Sequence, residues 1–294
     1  MELLTTPRTT IAVFIGELSE TIRQLARSAR RDGAADDFHR LRVAIKRLRA
    51  LAAHARDTGN TNQTDPPRRL LRRLFRAAGR VRNCHVRKQR IIRHWELSPD
   101  SLSEYFNDLT AHEAVARHHY DRVARAHEAR MFQSISERMM REFERRNGDD
   151  LAQRSVHSIL SLLDLLVGAD LNSTEINFHT VRILAKETRY RIEFVRDCVV
   201  SLDVFDRLGI ALRDVHRALG LWHDRDESVY ALDAFIARSE NATLLREPPY
   251  AQFRLTLLRE GAAALNCFFG KWMDLKEQLP AFRLELSRFP DRQT

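Results

Sequence analysis

Phe38-His39-Arg40-Leu41-Arg42-Val43-Ala44-Ile45-Lys46-Arg47-Leu48-Arg49 returns 140 residues later as Phe178-His179-Thr180-Val181-Arg182-Ile183-Leu184-Ala185-Lys186-Glu187-Thr188-Arg189, sharing F-H-x-x-R-x-x-x-K-x-x-R. Wound at 100° per residue, His39, Arg42, Lys46 and Arg49 fall within an arc of about 80° along about 15 Å of helix axis. Leu41, Ala44, Ile45, Leu48 and Ala52 take the other side. Each copy is therefore an amphipathic helix that buries one face and presents a cationic stripe on the other. A second block, Leu71-Arg72-Arg73-Leu74-Phe75-Arg76-Ala77-Ala78-Gly79, returns at an offset of 141 as Leu212-Arg213-Asp214-Val215-His216-Arg217-Ala218-Leu219-Gly220. Two blocks in the same order at nearly one offset indicate an internal duplication.

Working outward, helical periodicity covers nearly the whole chain, and no stretch alternates with period two between turn residues. The fold class is therefore all-α. Asp65-Pro66-Pro67 and Ser98-Pro99 place a capping residue before a first-turn proline, and Asn147-Gly148-Asp149-Asp150 breaks the chain at its midpoint. Helices are expected at about 8–31, 35–57, 66–95, 99–146, 150–168, 174–203, 206–240 (interrupted near Gly220) and 249–278. Four helices on each side of the break give two pseudo-symmetric four-helix bundles, residues 1–148 and 149–280, followed by a C-terminal tail, 281–294.

The chain has 294 residues, 44% hydrophobic and 30% charged, which excludes a disordered or collagenous polymer and a disulfide-stapled miniprotein. Cys84, Cys198 and Cys267 are odd in number and widely spaced, so a reducing, cytoplasmic location is expected and no zinc knuckle is indicated. No apolar run is long enough for a membrane span, and no membrane partner is expected. The net charge of +9 conceals an asymmetry: residues 1–150 carry 30 basic and 20 acidic side chains, residues 151–294 carry 19 and 20. From Phe38 to Arg93, 17 basic residues face only Asp57 and Asp65. Of the 49 cations 44 are Arg, whose planar fork holds phosphate oxygens in pairs.

An ordinary solvated helix face interleaves acids at i,i+4, and these stripes contain none. Arg69, Arg72, Arg73, Arg76 and Arg80 span about 100° of the next helix, a second cationic row for a linear polyanion. His39 and His179, set among cations that repel a metal ion, are read as phosphate donors ahead of packing residues or metal ligands. Glu193, Asp224 and Asp226 are read as partners that hold arginines in place. The phosphate-loop, dinucleotide, zinc-protease and nucleophile-elbow signatures are missing, so neither catalysis nor a cofactor is expected.

Both repeats resemble the signature of the CHAD family, the conserved histidine α-helical domain, whose halves each carry a His-x-x-Arg-x-x-x-Lys/Arg-x-x-Arg helix. Lys186 to Glu193 resembles the second-half Arg-Tyr and following Glu, and Leu219-Gly220 to Asp224 the Leu-Gly and Asp turn. Arg130 and Gly270-Lys271-Trp272 fall where the family has late basic residues. The resemblance implies paired bundles whose basic stripes line a central pore or groove that binds inorganic polyphosphate, with association with polyphosphate granules and their proteins. Carried over, the binding residues are His39, Arg42, Lys46, Arg49, Arg72, Arg73, Arg76, Arg80 and Arg130, with His179, Arg182, Lys186, Arg189, Arg213, Arg217 and Lys271. This chain departs from the pattern at Asn83, in place of Asp, and at His223, in place of Arg, while Glu187 and Thr188 replace the Arg47 and Leu48 of the first copy. A binding surface dominated by the first half is implied. Two other readings stay open: a non-specific nucleic-acid binder, and a phosphohydrolase using a histidine phosphoacceptor or bound metal.

Overall fold

A computed structural model of the chain describes residues 9–31, 33–58, 66–95, 102–126, 137, 139–141, 143, 148–169, 178–238, 243–244 and 247–289. Among these the regular structure is helical: α1 (Ile11–Arg31), α2 (Ala35–Asp57), α3 (Pro66–Trp95), α4 (Ser103–Arg125), α5 (Gly148–Val167), α6 (Phe178–Cys198), α7 (Asp203–Ile236) and α8 (Pro248–Ser287). The all-α class expected from the periodicity is the one observed.

Local chemistry accounts for the ends. Asp36 and Asp37 occupy the first turn of α2, and Arg56 its last, each complementing the helix dipole. Prolines open α3 and α8, where a missing N–H costs nothing. The turn between α1 and α2 needs Gly33, which takes a φ of 63°.

Four boundaries differ from expectation. The fourth helix ends at Arg125, although Glu137, Met139, Met140, Arg141 and Phe143 are again helical. α6 stops at Cys198, five residues early. α7 continues through Gly220 because buried Ala218 and Leu219 hold that turn against the core. α8 runs past 278 to Ser287 despite Pro280, since Leu279, Phe282 and Leu286 are buried, so 281–287 are helix rather than tail. Asp65, Ser98 and Pro99 lie outside the described residues.

The helices pack as two rings. α1 lies on α2, α2 on α3, α3 on α4 and α4 on α1; α5 lies on α6, α6 on α7, α7 on α8 and α8 on α5. The rings meet where α2 crosses α6 and touches α5. One apolar cluster runs through both, from Ile22, Phe38, Ile45 and Leu74 to Ile159, Ala185, Phe205, Leu212 and Leu275. A second joins Ile91, Tyr105 and Leu109 of α3 and α4 to Leu232, Phe235, Tyr250 and Phe253 of α7 and α8. Burial of these side chains, each contributing about 1.5–3 kcal/mol, fixes how the rings sit together. No described helix is long and apolar enough to cross a membrane.

Candidate functional site

α2, α3, α6 and α7 wall a cavity of about 650 Å³. Burial of Leu41, Ile45 and Leu48 on one side of α2 turns the opposite stripe inward, so His39, Arg42, Lys46 and Arg49 line the cavity. Burial of Val181 and Ala185 does the same on α6 for His179, Arg182 and Lys186. The charged rows of the two quoted sequence copies thus face a common space.

Phe75 on α3 organises the first-half cations. The guanidinium carbon of Arg42 sits 4.1 Å from its ring centre, that of Arg49 5.6 Å and Lys46 Nζ 5.9 Å. The aromatic face attracts cations that repel one another. Arg42 Nη1 also donates to the Phe75 carbonyl at 2.9 Å. This pose needs Gly79: a Cβ there would lie 2.1 Å from Arg42 Nη1. At the offset of 141, the place of Phe75 is taken by His216, that of Gly79 by Gly220, and those of Arg82 and Asn83 by His223 and Asp224, all of them cavity residues except Gly79.

Among the described residues, Arg42, Lys46, Arg182 and Lys186 have no carboxylate in ion-pair contact, and the buried Arg182 Nε has no hydrogen-bond partner. The electrostatics follow. Burial, then the neighbouring charges of Arg42, Lys186 and Arg182, push Lys46 down to about 7 against a partial counterweight from Asp224. Burial with Arg182 and Arg49 nearby lowers Lys186 to about 8. Arg42 falls to about 10, mainly by burial, and Arg182 is lowered for the same reason. Burial among Arg189, Lys46, Lys186 and Arg182 drops His216 to about 3, so it stays neutral. Burial and Arg82 lower His39. These groups share a space that favours an incoming anion.

The other expected residues are placed differently. Arg189 lies beside the cavity, its Nη1 on Glu193 and its guanidinium 4.4 Å from the Tyr190 ring centre. Arg72, Arg73, Arg76 and Arg80 are exposed along α3, and Arg213 and Arg217 along α7; none lines the cavity. Lys271 is exposed on α8, 3.7 Å from Asp274. Arg130 lies outside the described residues.

Sequence reasoning missed Arg82, Arg87, Phe75 and His216 as cavity residues and Gly79 as the space for Arg42. The signal was the L-R-x-x-x-R-A-x-G block, read for its arginines; its fifth position and the residues beyond its glycine reach the cavity. Asp224 holds an arginine, its carbonyl accepting from Arg90 Nη1 and its carboxylate 3.9 Å from Arg90 Nη2. Arg90 Nη1 also meets Ser228 Oγ, and Arg87 Nη2 donates to the Glu227 carbonyl at 3.4 Å, so α3 and α7 are bridged along the cavity. Among the described residues no three His, Cys, Asp or Glu side chains converge as a metal site would require.

A family model described as the CHAD domain matches residues 14–264. The crystal structure of the CHAD domain from the plant Ricinus communis superposes with a TM-score of 0.65 at 15% identity, over 99% of this chain and 96% of that one. PptA from Streptomyces chartreusis superposes with a TM-score of 0.59, also at 15% identity, over 91% of this chain and all 100% of that one. At such identity the likeness is one of fold. Comparison with curated proteins gave no match.

Proposed function

This chain belongs to the CHAD-domain family, and from that premise we propose that its cavity binds inorganic polyphosphate without transforming it. The observation that carries the reading is the set of four inward cations, Arg42, Lys46, Arg182 and Lys186, with no carboxylate in ion-pair contact among the described residues. Desolvated like charges repel, and a polyanion threaded between α2 and α6 turns each repulsion into a charge-assisted hydrogen bond. Arginine forks take non-bridging oxygens in pairs, lysines act as point charges, and His39 and His179 donate from the cavity wall.

Polyphosphate suits this lining better than nucleic acid. One face of Phe75 is covered by Arg42, a face of Tyr190 by Arg189, and Phe178 packs against Trp222 and Phe268. Base stacking, the usual basis of single-strand binding, has little aromatic surface to use. The role that follows is that of a non-catalytic cytoplasmic binder, brought to polyphosphate granules by its ligand.

The test is a salt titration of binding to long-chain polyphosphate beside single-stranded RNA and DNA of matched charge. Tighter polyphosphate binding that persists at intermediate salt, and is abolished by Arg42→Glu with Arg182→Glu, is expected. Unchanged binding by the double variant removes the site assignment. Equal binding to all three polymers reduces the cavity to a generic basic surface, and phosphate release from polyphosphate overturns the non-catalytic reading.

A further inference from the structure

α8, 40 residues from Pro248 to Ser287, is apolar on two opposite faces. One face is core: Phe253, Leu257, Phe268, Leu275 and Phe282 are buried. On the far side Leu255, Leu258, Phe269, Met273 and Leu284 are exposed, Met273 by 66%. At 100° per residue these five and exposed Ala262 fall within an arc of about 80° and run along about 44 Å of axis. The arc otherwise holds Asn266, Lys276 and Pro280 between positions 255 and 284, and Lys276 Nζ is turned to the Val167 carbonyl. Single exposed apolar side chains are ordinary on a protein surface, and α1, α3 and α4 show one each among the described residues, Val13, Ile92 and Val115. A continuous stripe marks an interaction site, and a helix apolar on both faces is normally covered on both.

The charges beside the stripe fit a second copy of the same helix. Arg259 and Glu277 lie on one flank, both about 40° from the line of Leu255 and Met273. Both are exposed, and among the described residues neither makes a hydrogen bond or an ion pair. An antiparallel copy related by a two-fold axis near position 268 brings Arg259 of each chain beside Glu277 of the other. That axis also falls at the midpoint of Pro248–Ser287, so the register that pairs the charges overlaps the two helices end to end. It sets small Ala262 near large Met273. In a parallel pair the two charges stand about 27 Å apart along the axis and cannot meet. At a helix width of about 10–12 Å the stripe covers about 500 Å² on each copy, about 1,000 Å² in the pair, the size at which a reversible dimer forms.

We propose that the outer face of α8 is a dimerisation surface, on which a second copy of this chain packs its own α8 antiparallel, with Arg259–Glu277 ion pairs at both ends of the contact. The apolar stripe supplies the adhesion. The flanking pairs select the direction and register, since ion pairs at a rim add more to specificity than to affinity. None of these residues lines the cavity, so the inference stands or falls independently of what the cavity binds.

The experiment is sedimentation velocity on the full chain from about 1 to 200 μM, a range that brackets the micromolar affinity expected of so small an interface. A monomer–dimer equilibrium is expected. Leu255→Glu with Met273→Glu is expected to leave only monomer, with the milder Leu255→Ser, Met273→Ser pair showing the same trend. Circular dichroism checks that both variants keep their helicity, as substitutions at exposed positions should. Arg259→Glu alone, or Glu277→Arg alone, is expected to weaken the dimer by about tenfold by setting like charges together at both ends. Arg259→Glu combined with Glu277→Arg is expected to restore it to within about threefold. A wild-type chain that stays monomeric up to 200 μM overturns the proposal. So does a dimer that survives both folded stripe variants, because the interface then lies elsewhere. A dimer lost in the stripe variants but indifferent to the single charge changes, or not restored by the exchange, overturns the antiparallel register.

Discussion

A methyl group on residue 79 would collide with the guanidinium of Arg42, whereas at Gly220, the matching position on α7, nothing lies within 4 Å. Within a helix alanine is favoured over glycine by about 0.5–1 kcal/mol. Gly220→Ala is therefore expected to raise the melting temperature and leave polyphosphate affinity within about twofold. Gly79→Ala has to push Arg42 off the Phe75 carbonyl, and about a tenfold weaker affinity, near 1.4 kcal/mol, is expected in titration without loss of stability. Lys46 couples proton binding to stability. It faces Arg42 on its own helix, Lys186 and Arg182 on α6, Phe75 on α3 and the more distant Asp224 on α7. With Lys46 near 7 and Lys186 near 8 in the fold against 10.5 ordinarily, the unfolded chain binds more protons across that window. The ligand-free fold should thus gain stability as pH rises from about 7 towards 10. A polyanion draws the protons back, so affinity should fall from pH 7 to 9. Calorimetry in buffers of different ionisation enthalpy should show uptake of up to about two protons per binding event near pH 9. The stripe residues themselves were legible from spacing because a charged row on one helix is a one-dimensional pattern. Gly79 and Phe75 were not, because their roles exist only against Arg42 on another helix.

Beyond its apolar contacts, α3 is tied to α4 by one buried acid. Glu113, 8% exposed, accepts from Arg117 Nε at 2.7 Å, Lys88 Nζ at 3.1 Å and lies 2.9 Å from His85 Nε2. Arg117 Nη2 donates in turn to the carbonyl of Gly33 at 2.8 Å, which ties the α1–α2 turn to the same knot. Burial opposes ionisation of Glu113, but the hydrogen bonds from Arg117, Lys88 and His85 prevail and hold its carboxyl down to about 2. A carboxyl depressed in this way contributes stability that is complete above its ordinary pKa of 4.5 and is lost as pH falls towards 2. Glu113→Gln leaves two cations without their counter-charge. A loss of about 3 kcal/mol in urea unfolding at pH 7 is expected, shrinking as pH is lowered to 3. At this scale periodicity located the helices well where an apolar face was continuous, as in α2 and α3. It misjudged α7 and α8, because Gly220 and Pro280 look like breaks in a sequence and are overridden by buried neighbours. The arc of α3 occupied by arginine was also readable, but which flank of that helix meets the cavity depends on how α3 leans on α2 and α7.

The two rings share one apolar cluster and jointly wall the cavity, so the molecule is expected to melt in one cooperative transition. A ligand bound only by the folded form at about 100 times its dissociation constant adds about 2.7 kcal/mol, which for a chain of this size is a rise of about 5 °C. Scanning calorimetry with long-chain polyphosphate should show that rise at low salt, its collapse near 0.5 M salt and its absence in the Arg42→Glu, Arg182→Glu variant, with about 0.5 M chosen because screening then acts within a few ångströms. The charge imbalance between the two halves was legible in composition. Its consequence was only partly so: the half with almost no net charge still supplies Arg182 and Lys186 to the cavity, together with Asp224 and Glu227, the acids that restrain the arginines of α3.

Four cations crowded into a space where, among the described residues, none of them has a carboxylate in ion-pair contact also set what heat resistance costs this protein. Replacing Lys46 or Lys186 by methionine keeps the length of the side chain, removes the repulsion and suits a site already largely shielded from water, so the ligand-free fold should become sturdier as the site disappears. Laboratory evolution for thermal endurance alone would discard these two lysines early. Endurance and the anion binding proposed for the cavity would have to be selected together for an engineered descendant to keep both.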